Sequence, residues 1–186
     1  MKKATFGLIA GLAMLGSAGA AKAQLPASPL SVEVRGGAAF PTASFGDRYE
    51  TGVSYGARAI LSVAPGIGVY GGYSQSDFDL KSGIGGENAS DRGFNAGLRA
   101  ALPTGVIPFG PWVHGGVVYN ELTGQVLGGD ERKLGFEVGG GLEFPLGQRV
   151  SVTPGATYTS TSRDAAAGGS ANVNYVKADI GLRIRL

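Results

Sequence analysis

With one histidine, no cysteine and scattered carboxylates, this chain offers few ways to make or break a covalent bond. His114 lies in "PWVHGGVVYNE", where Glu121 is the only carboxylate near it in sequence and no serine stands beside it. Nucleophilic catalysis needs a nucleophile within reach of a base that a third group orients. One isolated His supplies a single part of that set, so we expect no catalytic residue, and His114 reads as a polar side chain of an interior or an interface. Thiolate zinc sites are excluded by the missing cysteines. Asp77 and Asp79 fall inside a strand alternation and not a calcium loop. "GIGGEN" clusters glycines without the lysine of a phosphate-binding loop. No metal and no cofactor are expected. Asp91, Asp130, Glu131 and Asp164 read as loop or loop-edge charges held in water.

What remains is a set of charges at alternate positions of otherwise apolar segments: Glu33, Arg35, Arg58, Arg99, Glu137, Glu143, Lys177, Asp179, Arg183 and Arg185. Their chemistry is electrostatic. Charges taken out of water are costly unless paired and hydrogen-bonded, so the pattern predicts a continuous salt-bridge network inside the fold. Glu33, Arg99, Glu143 and Arg183 fall near the same ends of their segments, which predicts one charged layer. Six cations against four anions leave an excess for interior water, Asn95 or the acids of the third strand.

The elements that must position these charges follow from period two. In "KADIGLRIRL" the apolar face is Ala178, Ile180, Leu182, Ile184 and Leu186, and the opposite face is Lys177, Asp179, Gly181, Arg183 and Arg185. The same division recurs with Val32 and Val34 against Glu33 and Arg35, with Ala57 and Ala59 against Arg58, with Leu98 and Ala100 against Arg99, and with Phe136 and Val138 against Glu137. No helical stripe of useful length follows Pro29, so the chain reads as all-β. Eight segments emerge, at about 30 to 40, 52 to 64, 68 to 80, 91 to 102, 109 to 121, 132 to 144, 149 to 161 and 173 to 186. Each is long enough to cross a bilayer when tilted, which takes roughly 9 to 11 residues. Strands three and five divide less cleanly: Val69, Gly71 and Tyr73 outward carries Gln75 and Asp77 outward, and Val113, Val117 and Tyr119 outward leaves Trp112 and His114 inside. Tight proline and glycine turns, "APGIGV", "LPTGVI" and "FPLGQRV", alternate with longer polar connections.

Composition narrows the setting. Met1-Lys2-Lys3, an apolar run from Ala4 to Ala20 and the small-x-small site Ala21-Lys22-Ala23 read as a secretory signal peptide over residues 1–23, in preference to a membrane anchor. Residues 24–29 then form a short N-terminal segment before a barrel domain at 30–186. Removal of residues 1–23 takes Lys2, Lys3 and Lys22 from the 16 basic residues, leaving 13 against 14 acids and no basic surface for nucleic acid. Glycine, 34 of 186 residues, is far above the usual ~7% and suits a tightly curved sheet.

A soluble calyx of the lipocalin kind would show the same alternation turned inside out. The polar face, however, is mostly Gly, Ser, Thr and paired charges, with only Lys81, Lys133 and Lys177 as lysines past the export segment. A solvated face carries more lysine and glutamate, so we assign the polar face to a narrow interior and the apolar face to lipid. Three stretches add a family likeness: "GGAAFPTASFGDRYETGVSYGARA", "VYGGYS" and the C-terminus, where Asp179, Gly181, Ile184 and Leu186 match a barrel-assembly signal. The chain resembles the small eight-stranded outer-membrane barrels of the OmpA/OmpX type over nearly all of residues 30–186, although that family usually ends in an aromatic residue where Leu186 stands. The resemblance implies an eight-stranded antiparallel up-and-down transmembrane barrel, monomeric in the outer membrane, with both termini periplasmic. It implies outer-membrane lipid and the barrel-assembly machinery as partners, and names no extracellular ligand. Two roles follow, a closed structural or surface-interaction barrel, and alternatively a small porin-like or solute-binding one.

Overall fold

The computed structural model describes residues 29–102, 109–123, 132–164 and 170–186. Residues 1–28, which include the expected signal peptide, the connection 103–108 and parts of the last two long connections, with Asp130 and Glu131, lie outside the described residues. Eight antiparallel strands close into one barrel in chain order. They are β1 (Leu30–Thr42), β2 (Gly52–Ala64), β3 (Ile67–Phe78), β4 (Ala89–Ala101), β5 (Gly110–Thr123), β6 (Arg132–Pro145), β7 (Val150–Asp164) and β8 (Ser170–Arg185), with a single helical turn α1 (Ala43–Gly46) between the first two. The expected segments and these strands coincide to within a few residues, and each strand exceeds the length a bilayer crossing needs.

Closure is made by β8 pairing back on β1, from Ser31 opposite Arg185 to Thr42 opposite Asn174. β2 returns to β3 through Pro65 and Gly66 alone. Gly66 adopts φ +74°, and a Cβ there would stand 2.4 Å from the Ala101 carbonyl oxygen, so position 66 admits no side chain.

The alternation sorts as the sequence suggests. Leu98 is 60% exposed while its neighbour Arg99 is 3% exposed. Val34, Val53, Leu61, Val69, Val113, Val117, Leu134, Val138 and Ile180 all face out. A soluble protein does not turn every strand's apolar face to water, and the inward face holds the charges. Strands three and five take the expected registers. Trp112 and His114 are buried inside, and Gln75 and Asp77 point outward at the loop end of β3, where Asp77 accepts hydrogen bonds from Gln75 (2.9 Å) and Ser90 (2.6 Å).

Two expectations need correction. Asp91 is not a solvated loop-edge charge. Its position in β4 points inward, it is 1% exposed, and its Oδ2 accepts hydrogen bonds from Tyr175 (2.8 Å) and Asn120 (3.0 Å). The first long connection is not simply polar either. It drops Phe45 and Tyr49 into the barrel mouth, where they pack with Ala39, Phe78, Ala89, Leu122, Val173 and Tyr175 into an apolar cap. A barrel mouth wide enough to admit a loop gains roughly 25 cal/mol for each Å² of apolar surface hidden there, and the strand pattern alone carries no sign of that inward fold.

The charged interior as candidate functional site

Each interior charge is delivered by the inward phase of a strand, and register decides which meet. Glu33 lies opposite Arg58 on β2 and opposite Arg183 on β8. Side-chain length then sorts the contacts into three groups. In the middle of the barrel, Glu33 Oε1 accepts from Arg35 (2.8 Å) and Arg58 (2.9 Å), while Arg35 also donates its Nε to Asp179 (3.0 Å) and pairs with that carboxylate through Nη2. Toward the loop end, Glu137 accepts from the Tyr70 hydroxyl (2.7 Å), with Lys177 Nζ at 3.7 Å and His114 Nε2 at 3.9 Å. At the end that carries the tight turns, Glu143 accepts from Arg99 and Arg183 (3.0 Å each) and from Arg185 (2.8 Å).

All ten predicted charges therefore lie on the inward face, and all but the half-exposed Arg185 are well buried. The predicted single layer of Glu33, Arg99, Glu143 and Arg183 is only partly formed. Glu143, Arg99 and Arg183 share one contact, but Glu33 turns to Arg35 and Arg58, and Arg183 gives its Nε to Ser31 (2.9 Å). The network is not one continuous chain of ion pairs. Trp112 bridges the gap, with the guanidinium carbons of Arg35, Arg58 and Arg99 at 5.2, 5.7 and 5.1 Å from its ring centroid, within the range of attraction between a cation and an aromatic face.

The interior makes room for that ring by omitting side chains. A Cβ on Gly155 or Gly141 would lie 2.6 or 2.7 Å from Trp112 Cζ2. His114 stacks on Trp112 and meets Tyr70 edge-on, with centroids 5.5 Å apart in both cases. It is buried and faces the lumen, not lipid, the interior position anticipated for a polar side chain. Trp112, Tyr70 and Ser31 complete the interior although charge alone would not have singled them out. Tyr70 could have been found, since placing Val69 and Gly71 outward forces it inward.

Two cavities flank this plug. One, of about 30 Å³, adjoins Arg35, Arg58, His114, Glu137 and Lys177, room for a couple of water molecules. The other, of about 180 Å³, opens at the tight-turn end beside Arg99, Glu143, Arg183 and Arg185. In the C-terminal strand, Asp179 and Gly181 face in, and Ile184 and Leu186 face out, 42% and 57% exposed. Among the described residues no group of His, Asp and Glu is arranged to hold a metal ion.

The family described as outer membrane protein beta-barrel domain matches residues 8–185. No curated protein sequence matches the chain. Solved structures share its fold at low identity. Neisserial surface protein A superposes with a TM-score of 0.70 at 16% identity, covering 86% of this chain and 98% of that one. OprG of Pseudomonas aeruginosa gives 0.53 at 15%, covering 86% and 98%. Ail, the attachment invasion locus protein of Yersinia pestis, gives 0.52 at 14%, covering 84% and 99%.

Proposed function

We propose, from the premise that this chain belongs to the outer membrane protein beta-barrel domain family, that it is a closed barrel of the outer membrane whose role is structural or surface-interacting and not the passage of solutes. Its termini and tight turns lie in the periplasm and its long connections outside, the arrangement usual for such barrels. It works as a monomer, embedded in outer-membrane lipid after insertion by the barrel-assembly machinery, which reads Asp179, Gly181, Ile184 and Leu186. The observation that carries the closed reading is the Trp112 ring with three guanidinium groups around it, spanning an interior that an eight-stranded barrel already leaves barely wide enough for side chains. The apolar cap of Phe45, Tyr49 and Phe78 supports it from the other end.

The test is conductance of the purified barrel in planar bilayers. Folded protein, identified by altered gel migration before boiling, should give little stable current. Large steady openings would overturn the closed reading and favour transport.

A further inference from the structure

Pairing the interior charges group by group locates the cation excess. Glu33 and Asp179 balance Arg35 and Arg58, and Glu137 balances Lys177. Glu143 is the one carboxylate in ion-pair contact with Arg99, Arg183 and Arg185, with Glu33 acting on Arg99 from farther off, which leaves the two excess positive charges of the interior at this end of the barrel. The neighbouring connections supply no acidic side chain. The connections at that end, Pro65-Gly66, 103–108 and 146–149, contain no Asp or Glu, and the last adds Arg149. Arg99 is 3% exposed, and its Nε has no hydrogen-bond partner. Beside these groups lies the cavity of about 180 Å³, lined also by Ser62 and Gly68. Buried guanidinium groups left without counter-charge are strongly unfavourable, and Arg is suited to bidentate contact with phosphate and carboxylate oxygens.

We propose that this vestibule is a binding site for an oxyanion of the phosphate class, held by Arg99, Arg183 and Arg185 and entering from the periplasm. The periplasmic assignment rests on the orientation given under Proposed function; the site itself does not. The oxyanion would neutralise the two unmatched charges while Glu143 holds the three side chains in place. It could be free in solution or carried on a lipid headgroup, since both present the same oxygens.

The chain's one tryptophan makes the test direct, because Arg99 lies against Trp112. The full barrel, folded in a zwitterionic detergent, is titrated with inorganic phosphate against chloride at matched ionic strength, reading Trp112 fluorescence and the unfolding temperature. A parallel arm uses nanodiscs of phosphatidylcholine with and without phosphatidylglycerol. A saturable response to phosphate, weakened about tenfold or more by Arg185→Gln, supports the site with a free anion. A response confined to phosphatidylglycerol discs, and weakened in the same way, supports it with a lipid source. Ser62→Glu places a carboxylate at the cavity wall and should abolish the response, keeping the test valid should Arg185→Gln fold poorly. Arg48→Gln, in the first long connection at the opposite end, should leave it unchanged. Equal responses to phosphate and chloride, with none specific to phosphatidylglycerol, or an undiminished response in both Arg185→Gln and Ser62→Glu, overturn the proposal. Gel migration of the same samples reads barrel closure separately, so loss of the site is distinguishable from loss of the barrel.

Discussion

Replacing Glu143 with Gln removes the only anion shared by three guanidinium groups while keeping the side chain's shape. Two of its partners, Arg99 and Arg183, are buried at 3% and 7% exposure, and each sits 3.0 Å from Oε2. Removing one partner of a buried pair costs about 3–5 kcal/mol, because a desolvated charge is left behind. The Gln carbonyl can still accept one of these hydrogen bonds, which places the expected loss near the lower end, about 3 kcal/mol. Arg185, whose side chain is 38% exposed, is screened by water and adds little. Equilibrium unfolding in urea, followed by Trp112 fluorescence and gel migration, measures the difference in a buffer free of phosphate and sulfate, since an anion in the vestibule would mask it. Arg185→Gln in the same assay should cost no more than about 1 kcal/mol. A loss below about 1 kcal/mol for Glu143→Gln, or equal losses for the two variants, would refute the claim that the buried arginines depend on this carboxylate.

Two further substitutions probe the walls of the barrel. Val138, mid-strand in β6 and 51% exposed, faces out while adjacent Glu137 faces in; Val138→Arg should destabilise the barrel by about 2–4 kcal/mol in lipid vesicles, the cost of a cation on the lipid face at mid-depth, and a neutral result would mean that this face does not contact hydrocarbon. Gly155→Val should cost about 1–3 kcal/mol by driving into the Trp112 ring, and Trp112→Phe in the same chain should recover part of it; strictly additive losses in urea unfolding would show that the two positions do not press on each other.

The barrel was legible because period two is unambiguous when small and charged residues interleave with Val, Leu and Ile. Lys177 to Leu186 settles the phase of β8, and its register with β1 then fixes which charges in β1 can meet. The partners within the lumen were less legible. Glu33 and Arg183 are opposite in register yet choose other contacts, because long side chains reach across the interior to whichever group leaves the fewest bonds unmade. Asp91 was misplaced for a related reason. At the first residue of its expected segment, a lone Asp among Ser and Arg looks solvated, and only the phase of Asn95, Gly97 and Arg99 followed back to that residue turns it inward toward Tyr175. Phe45 and Tyr49 gave no periodic signal, since connections have none.

The apolar cap has a consequence for the order of assembly. Phe45 and Tyr49 come from the first connection, Phe78 and Leu122 from the middle of the chain, and Val173 and Tyr175 from its last strand. Phe45, Tyr49 and Phe78 can already meet in a sheet of the first three strands, but the cap is completed only when the end of the chain has joined its beginning. It works as a latch on the finished ring: a nascent barrel stays open at that mouth until β8 docks, and from then on releasing β8 means prying those rings apart as well.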